Sequence, residues 1–505
     1  MPCRFYSTIQ NAAYDMPMSG ATPGILENLT LLNDWKDYLQ SIEAPANVIS
    51  QLDKPSIQFV LTGQQIGYLC SPVLTLYKII TAEVIADKLS QKSGLNVTPV
   101  FWLQTEDHDL LEISKALIIK ENQEHLETNL LELKDNRHCV GDLSLENLIS
   151  RTQLESLELP ENLLNLILES SKEATLSELY GTLFYKLFPQ SKIILFDPRV
   201  LNLSKHTSEI YKQCINQPEL IHQILRSQSD QLVKNNEPAP IDVSKNRSLF
   251  FLSINGSRYR LDYKDNQFSS KETTYSKKDL EEILDTDPRR FSSSALLRPI
   301  LQDSLFNSVF YIGGNSELQY HKQITALYKH FNLTQAKLLE RAHGTIIDDK
   351  AFKWFPELEN KTEVSLANLI TIQAALKNHK ELSNTIVTLK DSTSKKLEEL
   401  LDLLRSEATT LDTTLQKPLE KTINSITESL SKFINKVEEQ NFREDAILNE
   451  RMQKVTNLSH PQGELQERII SAISIYTLLG DQAYKIVSES IYSVVNNNII
   501  INNNS

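Results

Sequence analysis

Cysteine, glycine and long apolar runs are all scarce in this chain. Its four cysteines, Cys3, Cys70, Cys139 and Cys214, are scattered through 505 residues with no CxxC pair. That pattern argues against a disulfide framework and a zinc knuckle and fits reduced thiols in a cytosolic protein. Cys70 is either a small apolar filler or a reactive thiol beside a polar loop. Glycine occurs only 13 times, and neither GxGxxG nor GxxxxGK[ST] is present, so the usual dinucleotide and P-loop fingerprints are missing. There is no HIGH tetrapeptide. Without HxH or HExxH, no metal-ligand set is named and metal binding is the minority reading, with metal dependence left open. No apolar run approaches the roughly 20 residues of a membrane helix, and MPCRFYSTIQ lacks the basic-then-apolar order of a leader; a cytoplasmic location is expected. The net charge of -13, with no long basic block, argues against a nonspecific nucleic-acid binder.

What remains is a soluble globular composition, 40% hydrophobic and 23% charged, long enough for about three domain equivalents. The stretch 57–109 is the most informative. IQFVL reads as a buried strand; TGQQIGYLCSP follows as a loop. Val73 to Leu89 has helical spacing, with Leu76, Ile79, Ile80, Val84 and Ala86 on one broad apolar side. VTPVFWL, beyond a turn at Gly94, is a second strand. It ends in Glu106, Asp107, His108 and Asp109. Strand–loop–helix–strand is a βαβ unit, and ligands in such sheets collect at the C-terminal ends of the strands. TGQQ and TEDHD would both lie there. Gly63 and Gly67 sit where a chain needing positive φ or a close ligand approach would use glycine.

Further along, SKIILFDPR reads as another buried strand. SLFFLSINGSRYRLD, about 247–262, is a hairpin with Asn255-Gly256 suited to a type I′ turn, inserted in the α/β core. In 292–349, LLRPILQDSLF reads as a loop and helix start and SVFYI as a strand; GGNSELQYH is a glycine-bearing turn entering a helix, whose N–H groups can hold an anion. From 362 to 457 the chain is expected to form an antiparallel coiled-coil arm. Leu382, Ile386, Leu389, Leu397, Leu400 and Leu404 approximate one seam. Leu419, Ile423, Ile426, Leu430, Phe433 and Val437 form a cleaner one, alternating steps of four and three. Pro418 suits a first helical turn. Residues 458–505 would return to the core as a helix and fray from Asn496. The expected architecture is thus a Rossmann-like parallel-sheet core over 1–361, carrying the hairpin module, followed by the arm.

TGQQxG, the PxxTxYK helix opening, FWxxTEDHD, LLRPxxQDxLF, YxGGxxExxYxxQ and PxGxLQER together resemble the bacillithiol-biosynthesis cysteine-adding family of cysteine ligases, over most of the chain. Two segments depart from it. Ser292, Ser293 and Ser294 stand where the family tends to carry a Pro-Asn pair, and LLERAHGTII, around Arg341, replaces an aromatic-Pro-Arg-x-Ser pattern. The resemblance implies a ligase that joins cysteine to the amine of glucosaminyl-malate as an amide, and dimerisation of two chains through the arm. A carboxylate is a poor acyl donor, so ATP activation is chemically expected, leaving ATP or ADP as a ligand.

Candidate roles follow. Glu106, Asp107, His108 and Asp109 can orient an ammonium, accept a proton or bind a cation; alternatively Asp107 or Asp109 caps a helix. Thr62, Gln64 and Gln65 offer neutral donors and acceptors for a polar substrate, or simply tie down a loop. Lys78 meets a phosphate or carboxylate, or is a surface lysine. Arg298 suits bidentate recognition of carboxylate or phosphate, or an ion pair that sets a loop. Gln302, Gly313, Gly314, Glu317, Tyr320 and His321 complete the second polar cluster. SKK at Ser276 and TSKK at Thr393 echo a synthetase KMSKS loop. Two other readings stand beside the ligase: a noncatalytic nucleotide-binding coiled-coil scaffold, and an adenylate-forming ligase for another amino acid.

Overall fold

A computed structural model describes residues 3–15, 24–55, 57–120, 125–130, 137–146, 148–172, 174–271, 273–306, 308–362, 392, 395–407 and 416–502. The chain divides into two compact units, Phe5–Thr345 with Glu467–Ser505, and Met1–Arg4 with Ile346–Gln466.

The first unit is built on a parallel sheet of β1 (Ile57–Gln64), β2 (Asn96–Leu103), β3 (Ile194–Phe196), β9 (Phe310–Gly313) and β10 (Lys337–Glu340). Its spatial order is β10-β9-β1-β2-β3. Successive strands step one way from β1 to β3 and then the other way to β9 and β10. The order therefore reverses between β1 and β9, and at such a switch point a crevice opens at the strands' C-terminal ends. All pairings are parallel, with Val60 opposite Pro99 on one side and Phe310 on the other. β1, β2, β3 and β9 are buried on both faces, which is why they read as continuous apolar runs rather than alternating ones, while the edge strand β10 is half-buried.

β1 and β2 are joined by α1 (Leu74–Ser93), ended by Gly94 in the left-handed region at φ 71°, as helix C-termini often are. The sequence suggested one apolar side. Instead the helix is buried nearly all round, including Lys78 and Glu83, because α6 (Ala483–Asn498) packs against it as well. Burial on both sides removes the amphipathic signal. Gly67 has φ -104°, so positive φ is not what it provides. A Cβ there would stand 1.8 Å from the Ser71 carbonyl oxygen, and one on Gly63 would stand 3.0 Å from that of Trp102. Both glycines allow close approach of the protein's own backbone. Cys70, Cys139 and Cys214 are buried free thiols, and burial pushes the Cys70 thiol up to about 12. A thiol held protonated this firmly is a filler, not a nucleophile.

The hairpin forms as read, with Asn255 and Gly256 at φ 52° and 83°. It is larger than the sequence suggested. β4 (Arg247–Ile254), β5 (Ser257–Lys264), β6 (Gln267–Ser269), β7 (Thr274–Ser276) and β8 (Phe291–Ser293) make a five-stranded antiparallel sheet in the order β7-β6-β5-β4-β8. Ser276, the start of the SKK string, caps the following helix, its hydroxyl accepting from the Asp279 N–H while Asp279 reaches back. That capping box accounts for the string; Thr393 lies outside the described residues.

The tail does not fray from Asn496. α6 runs to Asn498 and Ile499–Asn502 then pairs as a parallel strand with Ala12–Asp15. The apolar Ile499 and Ile501 are buried, and alternation outweighs the asparagine-rich composition.

In the second unit, α5 (Gln416–Ser459) is a single 44-residue helix. Arg405, on the helical stretch before it, pairs with Glu420 at 3.1 Å, and Leu401 and Ile423 are buried. Leu400, Leu404, Ile426 and Phe433 remain exposed in the single chain. Leu382, Ile386 and Leu389 lie outside the described residues. Gln462 and Gly463, both at positive φ, end the arm. Among the described residues no helix is long and apolar enough to cross a membrane.

Candidate active site

The C-terminal ends of β1, β2 and β9 carry the polar segments singled out in the sequence, and two connected clusters result.

The first lies at the switch point. Lys78, on the second turn of α1, is buried and its ammonium donates to the Gly63 carbonyl at 2.7 Å, Gln64 Oε1 at 2.8 Å and Glu317 Oε2 at 2.5 Å. Three acceptors use all three of its hydrogens. Lys78 is therefore an internal cation rather than a free anion hook or a surface lysine. Glu317 is the hub. It also accepts from the Tyr311 hydroxyl and the Gly314 N–H, and lies 3.6 Å from Arg298. Burial opposes its ionisation, but Lys78 and Arg298 outweigh that and hold its carboxyl down at about 2. The helix entrance expected to hold an anion, at Gly313 and Gly314 before α4 (Asn315–Gln323), is thus filled by the helix's own Glu317. Arg298, opening α3 (Arg298–Phe306), donates to Gln302 Oε1 at 3.0 Å, Tyr311 Oη at 3.0 Å and Tyr320 Oη at 3.2 Å. His321 is buried beside it, and burial with the Arg298 charge pushes its imidazole down to about 3. A neutral, enclosed imidazole stacked on Tyr311 at 4.2 Å is structural. Thr62 donates to the Ile312 carbonyl and is fully buried.

The second cluster is open. A cavity of about 250 Å³ is lined by Gln104, Glu106, Asp107, His108, Arg298 and Tyr320, and also by Phe251, Arg258, Arg260, Ser293, Ser294 and Ala295 with Trp102 at its floor. Asp107 Oδ2 accepts from Gln65 Nε2 at 2.5 Å, and Oδ1 from the His108 N–H at 2.7 Å and Arg258 Nη1 at 3.2 Å. Burial opposes ionisation here too; His108, Arg258 and Gln65 outweigh it and hold the Asp107 carboxyl well below the usual carboxylate range. Glu106 goes the other way. It is buried, and burial raises its carboxyl despite hydrogen bonds from the Ser293 N–H at 3.1 Å and Oγ at 2.6 Å. Adjacent carboxylates in different surroundings thus separate into a fixed anion and a group suited to gain and lose a proton. His108 Nδ1 lies 3.0 Å from Arg258 Nη1. The same Nδ1 also lies 3.4 Å from Asp107 Oδ1, so the imidazole stands between the guanidinium and the carboxylate. Asp109 stands apart: it is exposed, accepts from the Glu112 N–H at 3.2 Å, and caps α2 (Leu110–Ile113).

Arg258 and Arg260 were missed in the sequence. They come from β5, two residues apart on a strand, hence on one face. The Arg-Tyr-Arg triplet carried that signal, but nothing in it shows which wall a strand from another sheet will form. Ser293 and Ser294, noted as departures, line the same cavity. Around the other departure, Arg341 makes a bidentate pair with Glu467 at 3.0 and 2.6 Å, which Gly344 N–H also joins at 3.0 Å.

A Rossmann-like α/β unit with a polar cavity at its strand ends, followed in the chain by a helical arm, defines the class. Residues 16–342 match the family model for the bacillithiol biosynthesis BshC N-terminal Rossmann-like domain, and 344–502 the model for its C-terminal coiled-coil domain; the chain belongs to the BshC family. Proteins named "Putative cysteine ligase BshC" are similar along its length. The one from Staphylococcus haemolyticus is 23% identical over 502 residues, covering 94% of this chain and 90% of that protein. That from Solibacter usitatus is 27% identical over 447 residues, with 86% and 82% covered. That from Natranaerobius thermophilus is 26% identical over 374 residues, with 70% and 68% covered.

Proposed function

We propose that this chain is the ligase that adds cysteine to glucosaminyl-malate, forming an amide between the cysteine carboxyl and the sugar amine. The observation that carries this reading is the convergence of four separate segments, TEDHD, LLRP, the β5 arginines and Tyr320 beyond the GG turn, on one cavity in a chain of this family. Substrate identity comes from the family; the geometry supplies roles. When the amine attacks an activated acyl carbon, its nitrogen loses a proton as the C–N bond forms and the leaving group departs. Glu106, with its raised carboxyl, is a better acceptor for that proton than Asp107, since base strength follows pKa. Asp107 instead holds Arg258 and His108 in place. His108, which lines the same cavity, serves as a donor to the developing oxyanion.

The carboxyl must first be activated, and ATP is the reagent we infer. Lys78 does not fit as a phosphate ligand, because its hydrogens are used internally, so no step is derived through the nucleotide. The exposed Leu400, Leu404, Ile426 and Phe433 on the arm support pairing of two chains there. Incubating the chain with glucosaminyl-malate, cysteine and ATP and following the amide product by mass spectrometry tests the reading. Product is expected; binding of nucleotide without product would favour the scaffold alternative, and product only with another amino acid would favour the second.

A further inference from the structure

Three arginines meet the cavity, and they differ in how far the protein already uses them. Arg258 is committed. Its Nε donates to Ser292 Oγ at 2.8 Å, Nη2 to the Ser293 carbonyl at 2.6 Å and Nη1 to Asp107, and the guanidinium lies over the Phe251 ring at 3.7 Å. Arg298 is committed to Gln302, the two tyrosines and Glu317. Arg260 is different. Among the described residues only its Nε has a protein acceptor, the Ser248 carbonyl at 2.9 Å. Among the described residues no carboxylate pairs with it. Asp262, whose charge it feels, is held by Arg247 at 3.1 Å. It stands on a cavity wall beside the similar charge of Arg258, with Asp262 and the more weakly felt Asp242 as the carboxylates that favour its charge. Ser294 lines the same space: it is 6% exposed and, among the described residues, its hydroxyl has no partner. A buried hydroxyl without a partner costs stability unless something else bonds it.

We propose that Arg260 and the Ser294 hydroxyl together bind a carboxylate of the acceptor substrate, so that they set specificity for an acidic aglycone on the sugar. A guanidinium with both terminal nitrogens unused matches a carboxylate bidentately, and the serine supplies a third donor. That the carboxylate is the malyl one rests on the ligase reading above; that the element binds a small carboxylate does not.

The test separates the two. L-malate, its dimethyl ester and inorganic phosphate are titrated by calorimetry into the full chain and into R260Q, R260K and S294A, with unfolding midpoints recorded for each. Malate is expected to bind the wild type, to weaken roughly 10- to 100-fold in R260Q and several-fold in S294A, and to be partly restored in R260K; a lost bidentate charge-assisted contact is of that order. The ester should not bind. In the product assay R260Q should raise KM for glucosaminyl-malate while leaving KM for cysteine unchanged. Malate binding R260Q as tightly as the wild type would overturn the proposal, as would phosphate binding in preference to malate. Arg260-dependent malate binding without any amide product would uphold this element and remove the ligase reading. Product with an unaltered KM in R260Q would do the reverse.

Discussion

Two neighbouring regions of one sheet rim put similar residues to opposite use. At the switch point between β1 and β9, Lys78, Arg298 and Tyr311 are buried, Glu317 is 12% exposed, and the four are bonded to one another until almost no donor is left over. One strand away, Glu106, His108 and Arg260 line a cavity with capacity to spare. The first region has the composition of a binding site and the geometry of a brace. It fixes where α1, α3 and α4 start, and so where Arg298 and Tyr320 stand in the second region. Residue type alone does not separate the two; the count of satisfied hydrogen bonds does.

Substitutions should break the two regions differently. Glu106→Gln should cost the most activity, about 10²- to 10⁴-fold in kcat for removal of a general base, with an unchanged unfolding midpoint, read in the product assay. In the wild type the rate should rise with pH through a carboxyl titration displaced upward from the ordinary glutamate range, because the ionised form is the active one and burial raises it. Lys78→Met should act on stability first. It strips a largely enclosed carboxylate of its lysine partner, and breaking such a pair costs about 3–5 kcal/mol, read as a lowered unfolding midpoint. Glu317 gives this an acid signature. Its folded carboxyl sits at about 2 against an ordinary 4.5, so its contribution is complete above about 4.5 and disappears as pH falls towards 2. Glu317→Gln should flatten that part of the stability profile. Asp109→Ala should have the smallest effect, a lost helix cap of about 1 kcal/mol with product formation unaltered. Loss of turnover in a folded Asp109→Ala chain would move the site outward.

Much of the fold was legible because its signals are local. Continuous apolar runs mark β1, β2 and β9, Gly94 marks the end of α1, and Asn255-Gly256 marks the hairpin turn. The α1 periodicity misled, since a helix buried on both sides has no polar face to contrast. The site was legible in part. Chain position placed TEDHD and LLRP at the strand ends, but whether Lys78 faces a ligand or Glu317 depends on a residue 239 positions away. Arg260 escaped notice because which wall its strand forms is decided by packing between the two sheets. Asp109 and Ser276 took the bland alternative, as helix caps.

The central claim is that substrate occupies the open cavity and not the brace. Ala295 lines that cavity and is exposed, so Ala295→Trp should fill the space without disturbing the core. Titrating glucosaminyl-malate into this variant by calorimetry should show binding abolished at an unchanged unfolding midpoint. Wild-type affinity in the filled variant would contradict the account.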